Sequence, residues 1–246
     1  MRKVLIVLTL FVLWIAACAP DSASTEEASE TTDPPTSAPV PTDSSTETAP
    51  IGPAEEAVIK QLAENLGLEE GDITVVSTEE TEFGDACLGI VMEGVMCAQV
   101  VTPGYVIVLE ANGIQYEYHT SEDGSRIQPA SLALVWKREG GIAGFCDTLT
   151  VFRSGEVFAS KCGSQAEGTM GTFVNLMTVK EVQQFTDWVI AFDEAKLDAS
   201  DPQGVADRMV VTVDFFGLGS TSLTEEEQQA LFNFAQDLYQ ELSGKN

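Results

Sequence analysis

Between positions 19 and 53 the chain carries only two large apolar side chains, Val40 and Ile51, among serine, threonine, proline, alanine and acidic residues. A stretch so poor in apolar surface cannot offset the entropy of ordering its backbone, so residues 18–53 read as a disordered tether. Any packed core must then be assembled from residues 54–246. As a flexible coil the tether would span roughly 30–35 Å, and about 100 Å if drawn into polyproline II. Its Ser/Thr/Pro content also permits O-glycosylation.

Ahead of the tether, Arg2 and Lys3 form a short positive region and residues 4–17 an apolar run. That run suits a secretory signal core and is shorter than the roughly 18–20 residues a spanning helix needs. It ends in Ile15-Ala16-Ala17-Cys18, which resembles the bacterial lipobox. The resemblance implies a signal peptide over residues 1–17, cleavage before Cys18 and acylation of the Cys18 thiol. Two or three acyl chains hold a protein at a membrane where one binds only marginally. The expected location is the cell membrane, lipid-anchored and facing the extracytoplasmic side.

Charge narrows the range of partners. Net charge is −27, from 12 Lys and Arg against 39 Asp and Glu, and removing residues 1–17 takes away two of the cations. Nucleic-acid binders need a basic face, so no nucleic acid is expected. The same balance argues against lying flat on anionic lipid. It suits solubility outside the cell, and leaves room for a cationic partner or calcium. No segment matches the calcium-loop pattern. The acidic clusters at residues 79–85 and 193–207 are irregularly spaced and read as solvated loops.

Cysteine usage agrees with export. Setting Cys18 aside leaves four of the five cysteines, an even number suited to an oxidising compartment. Three pairings are possible. Arg153-Ser154-Gly155 reads as a three-residue hairpin turn, and if Phe152 faces Glu156 then Cys146 falls opposite Cys162, close enough to bridge. Leu149, Val151, Val157 and Ala159 would share the buried face of that hairpin. The remaining pair, Cys87 and Cys97, flanks a glycine-bearing apolar loop that a bridge would pin shut. A four-cysteine metal site is disfavoured because no C-x-x-C pair exists; no metal and no cofactor are expected.

The fold class expected for residues 54–246 is α+β: two small domains, each an antiparallel sheet packed against one or two helices. The first domain covers residues 54–127. Val58, Ile59, Leu62, Ala63 and Leu66 recur at helical spacing and Gly67 stops the helix. A strand over residues 73–78 follows, and after the cysteine loop come residues 98–101, a Thr-Pro-Gly turn and a strand over 105–111. Asn112-Gly113 signals a two-residue hairpin, which places Leu109 opposite Tyr116, Ile107 opposite Tyr118 and Val106 opposite His119. This register puts His119, the single histidine, on a mostly solvent-facing surface without the nucleophile and orienting partner that catalysis requires. Cys87-Leu88-Gly89, the run from Cys97 to Tyr105, and Tyr116 to Thr120 together resemble a module of exported bacterial proteins. That module has no established activity.

The second domain covers residues 131–246. Leu132, Leu134 and Trp136 alternate along a strand, and the cysteine hairpin follows. Thr178-x-x-Glu181 is a capping box opening a helix with Val182, Phe185, Val189 and Phe192 on one face and Trp188 beside them. Residues 207–216 read as a strand. A second box, Thr224-x-x-Glu227, opens a helix whose stripe is Leu231, Phe234, Leu238 and Leu242, with Gly244 at its end. The run Arg138-Glu139-Gly140-Gly141-Ile142-Ala143-Gly144-Phe145, a helix, the run from Asp207 to Val213 and a terminal helix are similar to the emfourin family. The match spans roughly residues 131–243. Members of that family are small protein inhibitors of thermolysin-like metallopeptidases. The resemblance implies that fold, and an inhibitory contact at Gly140, Gly141, Ile142, Ala143, Gly144 and Phe145. The chain departs from the family by adding the cysteine hairpin, and residues 217–222 are too short for the full strand expected after Phe216.

Function follows from what is present. Asp85 beside Cys87, or Asp193 with Asp198, are the only carboxylates placed for chemistry, and neither has a base or nucleophile nearby. Gly140-Gly141-x-x-Gly144 lacks the lysine and following helix of a phosphate loop. The expectation is a membrane-anchored, non-catalytic binding protein whose partner is a peptidase or another cell-envelope protein, with peptidase inhibition as the alternative. An exposed 140–145 bend would favour a contact role, and one packed under the sheet a purely structural role.

Overall fold

The computed structural model describes residues 52–93, 95–161 and 171–244. The expected signal peptide, Cys18 and nearly all of the expected tether lie outside the described residues, as does Cys162. Helix α1 (Pro53–Leu66) starts where the tether ends: the Glu55 carboxylate accepts the Gly52 N–H at 2.7 Å, and Gly67 ends the helix at φ +68°. Its apolar stripe, Val58, Ile59, Leu62 and Leu66, is buried.

A four-stranded antiparallel sheet follows in the order β1 (Thr74–Phe83), β2 (Thr102–Ala111), β3 (Ile114–Ser121), β4 (Ile127–Pro129). The Asn112-Gly113 hairpin fixes its register as expected, pairing Ala111 with Ile114, Leu109 with Tyr116, Ile107 with Tyr118 and Val106 with His119. Ile107, Leu109, Tyr116 and Tyr118 face the core. Three expectations are corrected. The Thr-Pro-Gly turn is instead the start of β2, since a Cβ on Gly104 would sit 1.9 Å from the Thr120 carbonyl oxygen and only glycine allows the strands to close there. The acidic run from residue 79 is not a loop, because Glu79, Glu80 and Glu82 continue β1 as an edge strand paired to β2. Ile127 to Pro129 form the short strand β4, which the sequence pattern does not reveal.

The second sheet has six strands, β5 (Leu132–Gly140), β6 (Phe145–Phe152), β7 (Glu156–Lys161), β8 (Gly171–Leu176), β9 (Ala195–Asp198) and β10 (Met209–Phe215). Their order is β8-β7-β6-β5-β10-β9. The β6–β7 register pairs Leu149 with Ala159 and Val151 with Val157, and all four side chains are buried as the hairpin arithmetic requires. The strand partner sought after Phe216 lies before β10 instead. Strand β9 fills that edge within the segment read as an acidic loop, and residue 221 makes an isolated parallel bridge to Phe192. Helix α2 (Val179–Ala191) is opened by Thr178, whose hydroxyl accepts the Glu181 N–H, and α3 (Glu225–Gly244) begins at the Thr224–Glu227 box. Both helices cover the sheet. Trp136 meets Tyr239 at 5.0 Å between ring centroids, and Phe185 stacks on Phe234 at 5.3 Å, contacts worth about 0.5–1.5 kcal/mol each beyond area burial.

The boundary expected near residue 130 is the boundary between the two sheets, while one apolar cluster runs across it within a single compact unit. A buried polar knot joins the two sides. The Glu156 carboxylate, at the start of β7, accepts from Gln61 and Asn65 of α1 at 2.8 Å each and from the Tyr118 hydroxyl of β3 at 3.2 Å. Its other oxygen accepts from Ser154 in the hairpin turn, a residue with no exposed surface. Burial and the adjacent carboxylate push the Tyr118 hydroxyl well above its ordinary range.

Candidate functional site

Strands β5 and β6 are joined by the bend at residues 141–144, and the backbone there explains the glycines. Gly140, Gly141 and Gly144 take φ of +82°, +68° and +64°, a region costly for side-chain-bearing residues. Gly140 is also closely approached: a Cβ there would sit 2.5 Å from the Arg208 carbonyl oxygen. That same oxygen accepts the Gly141 N–H at 3.1 Å, and the Gly144 N–H closes the turn onto Gly141 at 3.0 Å. The bend is thus held to β10 at its base while its tip projects. Ile142 is 91% exposed and Ala143 and Gly144 are also exposed.

Below the tip, a charged pair braces the two strands. Arg138 faces Asp147 across β5 and β6, donating from Nε to Oδ2 at 2.9 Å and from Nη2 to the same oxygen. Its guanidinium lies 4.0 Å from the Phe145 ring centroid, with Trp136 and Tyr239 at 5.6 and 5.8 Å. The buried Tyr239 hydroxyl is raised above its usual range by desolvation and by donating to Asp147. The glycines of the sequence announce the bend but not this brace. Its signal was available: a four-residue turn pairing Gly140 with Phe145 places 138 opposite 147.

The disulfide loop closes with the expected bridge. Cys87 and Cys97 are bonded, with Cα atoms 5.5 Å apart. The Asp85 carboxylate accepts the N–H groups of Cys87 and Gly89 at 2.8 and 3.1 Å, capping the loop's first turn. His119 is not solvent-facing, because this loop covers it. Its ring stacks on Phe83 at 5.0 Å, Nδ1 donates to the Leu88 carbonyl at 2.7 Å, and Nε2 lies 3.1 Å from Glu117. Histidine here anchors a loop. Leu88 and Met92 are buried while Val91 and Met96 are 94% and 97% exposed, so the loop has a fixed base and apolar tips.

The other expected site residues are placed plainly. The Asp85 carboxylate and the two sulfurs lie within 4.8 Å of one another, but the sulfurs are joined to each other and offer no thiolate. Asp193 accepts from the Ser222 hydroxyl at 2.9 Å, tying the end of α2 to the segment before α3, while Asp198 accepts the Ser200 N–H at 2.8 Å within its own turn. Cys146 sits on β6 opposite Glu139 and is not a free thiol.

No described helix is long and apolar enough to cross a membrane. No curated protein and no solved structure matches the chain. Residues 55–129, from the first turn of α1 to the last residue of β4, match the family model of a domain of unknown function, DUF8738.

Proposed function

We propose that this chain is a lipid-anchored extracytoplasmic protein that acts by binding a protein partner without catalysis, with the 140–145 bend as its contact. The observation that carries this reading is the exposure of Ile142 at the tip of a bend whose base is clamped. A solvent-facing aliphatic side chain on a braced support loses little freedom on binding. Burying it in a partner is worth about 1.5–3 kcal/mol, or roughly 10- to 150-fold in affinity. The Cys87–Cys97 bridge supports an oxidising compartment. The lipobox at Ile15-Ala16-Ala17-Cys18 supports the anchor, with the tether lifting the body from the membrane, and a second bridge joins Cys146 and Cys162.

A second reading is that the partner is a thermolysin-like metallopeptidase, which the protein inhibits. The emfourin resemblance motivates it, and the projecting bend favours it over a purely structural turn.

Intact mass of the membrane-extracted protein tests the anchor: an unmodified amino terminus sinks it. For the contact, a photo-crosslinking side chain at position 142 should give one discrete adduct in intact cells. The same group at exposed Gln184 on α2 should give none. Equal labelling, or none at 142, removes the bend as a contact. Thermolysin hydrolysis measured with the full chain tests the peptidase reading.

A further inference from the structure

We propose that the free edge of β1 is a docking site for an extended, lysine- or arginine-bearing segment of a protein partner, which joins the first sheet as an added strand. The inference stands apart from the 140–145 bend and does not depend on it. Backbone geometry carries it first. The two-residue Asn112-Gly113 turn makes Ala111 and Ile114 a hydrogen-bonded pair. Leu109, Ile107 and Tyr105 of β2 therefore bond to β3, and the residues between them bond to β1. Through the β1–β2 register those intervening residues meet Ser77, Glu79 and Thr81. The N–H and C=O groups of Thr78, Glu80 and Glu82 point away from the sheet, and among the described residues no backbone hydrogen bond reaches them. From Thr78 to Phe83 the strand has no proline and lies beyond the irregularity between Val75 and Ser77, leaving about 20 Å of regular edge. Short strands, bulges and prolines are how folds close an edge to pairing, and this stretch uses none of them. At the opposite edge of the same sheet, β4 has only three residues.

Charge selects the occupant. Thr78, Glu79, Glu80 and Glu82 are exposed, and β1 has no lysine or arginine. Glu80 and Glu82 project from one face of the sheet and Glu79 from the other, so an added strand meets carboxylate on both faces. On the first of those faces Glu55 of α1 accepts a hydrogen bond from the Thr78 hydroxyl, which brings a further carboxylate and ties the edge to the helix. Opposite charges directly across a strand pair favour pairing, and like charges oppose it. A second copy of the chain would bring these same glutamates to the edge. The chain's own residues 19–51 hold several acidic groups and no lysine or arginine. The carboxylates thus oppose both occupants while admitting a cationic strand, a use of repulsion to set specificity. The complement is a basic residue opposite each of Glu82, Glu80 and Glu79, a Lys-x-Lys-Lys spacing. Because β2 already holds β1, the ordering cost of docking falls on the partner segment.

The probe is the capped synthetic peptide Val-Lys-Thr-Lys-Lys-Thr-Val, designed to lie antiparallel to residues 77–83. It is titrated into the full-length, detergent-solubilised protein and followed by calorimetry and by NMR-detected exchange of the β1 amides. The proposal expects saturable binding and roughly tenfold slower exchange at Thr78, Glu80 and Glu82. Glu79 and Thr81, which β2 already protects, should change little. A peptide N-methylated at its first two lysines keeps its charge but loses the amides that face β1, and should bind roughly tenfold more weakly. The variant Glu79→Lys/Glu80→Lys/Glu82→Lys should lose the peptide by a similar factor and bind the version with glutamates in place of lysines. An unchanged melting temperature confirms that this variant is folded, and if it melts early the N-methylated peptide still decides. Equal binding of the N-methylated peptide, or binding without slowed exchange at the three outward amides, reduces the site to bulk charge and overturns the proposal. Absence of binding, or undiminished binding by the folded variant, overturns it too. Outward amides that are slow before peptide is added show an edge already filled, by a second copy if the protein sediments as a dimer and by its own chain if it does not. Either result overturns the proposal.

Discussion

Arg138 and Asp147 face each other across β5 and β6, with the aspartate side chain 5% exposed and the arginine 22%. The pair sits directly beneath the projecting bend, so the support of that bend depends on a buried electrostatic arrangement. Removing one partner leaves the other charge uncompensated, which typically costs about 3–5 kcal/mol, whereas replacing both with apolar groups is often near neutral. Arg138→Met is therefore expected to lower unfolding free energy by roughly 3 kcal/mol. Arg138→Met/Asp147→Leu should recover most of that loss. Urea unfolding of the set decides it, and a double variant as unstable as the single one would show that the pair is not the source.

Glu156 makes a sharper prediction because its two oxygens do different work. Gln61, Asn65 and Tyr118 all donate to Oε1, and Ser154 alone donates to Oε2. Glutamine can keep the three-donor oxygen and turn its amide toward Ser154, whose hydroxyl can accept as well as donate. Glu156→Gln is expected to cost only about 1 kcal/mol, and Glu156→Leu about 3 kcal/mol or more, since it strands several buried donors. Similar unfolding midpoints for the two variants would contradict this division of labour.

These two carboxylates mark where the sequence stops being informative. Local rules delivered α1, the Asn112-Gly113 register, the β6–β7 register and both capping boxes, because spacing and turn chemistry act over a few residues. Partners distant in sequence were invisible. Gln61 and Glu156 are 95 residues apart, so nothing in the pattern around Glu156 in a polar turn announces that it is buried. His119 was misplaced for the same reason: its strand face is polar by alternation, and the loop that covers it comes from 31 residues earlier. The bend itself was legible from its glycines, but its clamp to Arg208 belongs to a strand pairing that no local signal encodes.

Alkaline pH should expose the buried phenols. Burial pushes the Tyr116 hydroxyl up to about 12, with Arg153 pulling partly back, and Tyr118 and Tyr239 are raised as well. An unfolded tyrosine ionises near pH 10. Stability held by these neutral phenols is complete below that value and is lost as pH rises toward their folded values. Urea midpoints are expected to fall between pH 10 and 12, and Tyr116→Phe should make the fall shallower. Asp123 acts at the other end. Hydrogen bonds from Ser121 and Ser125 hold it down to about 2 from 3.8, so its contribution is present above 3.8 and lost as pH drops toward 2. An alkaline limb of equal slope in the parent and Tyr116→Phe would remove Tyr116 from the account.

Two glycines of the bend separate strain from collision. Gly144 has φ +64° and open space where a Cβ would stand, so Gly144→Ala meets only the left-handed backbone penalty. That penalty is roughly 1–2 kcal/mol. Gly140 has φ +82°, and its Cβ would stand 2.5 Å from the Arg208 carbonyl, an atom fixed by the β5–β10 pairing. Backbone oxygen cannot swing aside as a side chain can, so Gly140→Ala must pull β5 from β10 or abandon its own dihedral angles. The expected cost exceeds that of Gly144→Ala by about 1–3 kcal/mol. Hydrogen exchange locates the damage: the Gly141 amide, bonded to Arg208, should lose protection in Gly140→Ala and keep it in Gly144→Ala. Equal loss in both variants would mean that the bend is held by its dihedral angles alone, and that the clamp to β10 does not set how Ile142 is presented.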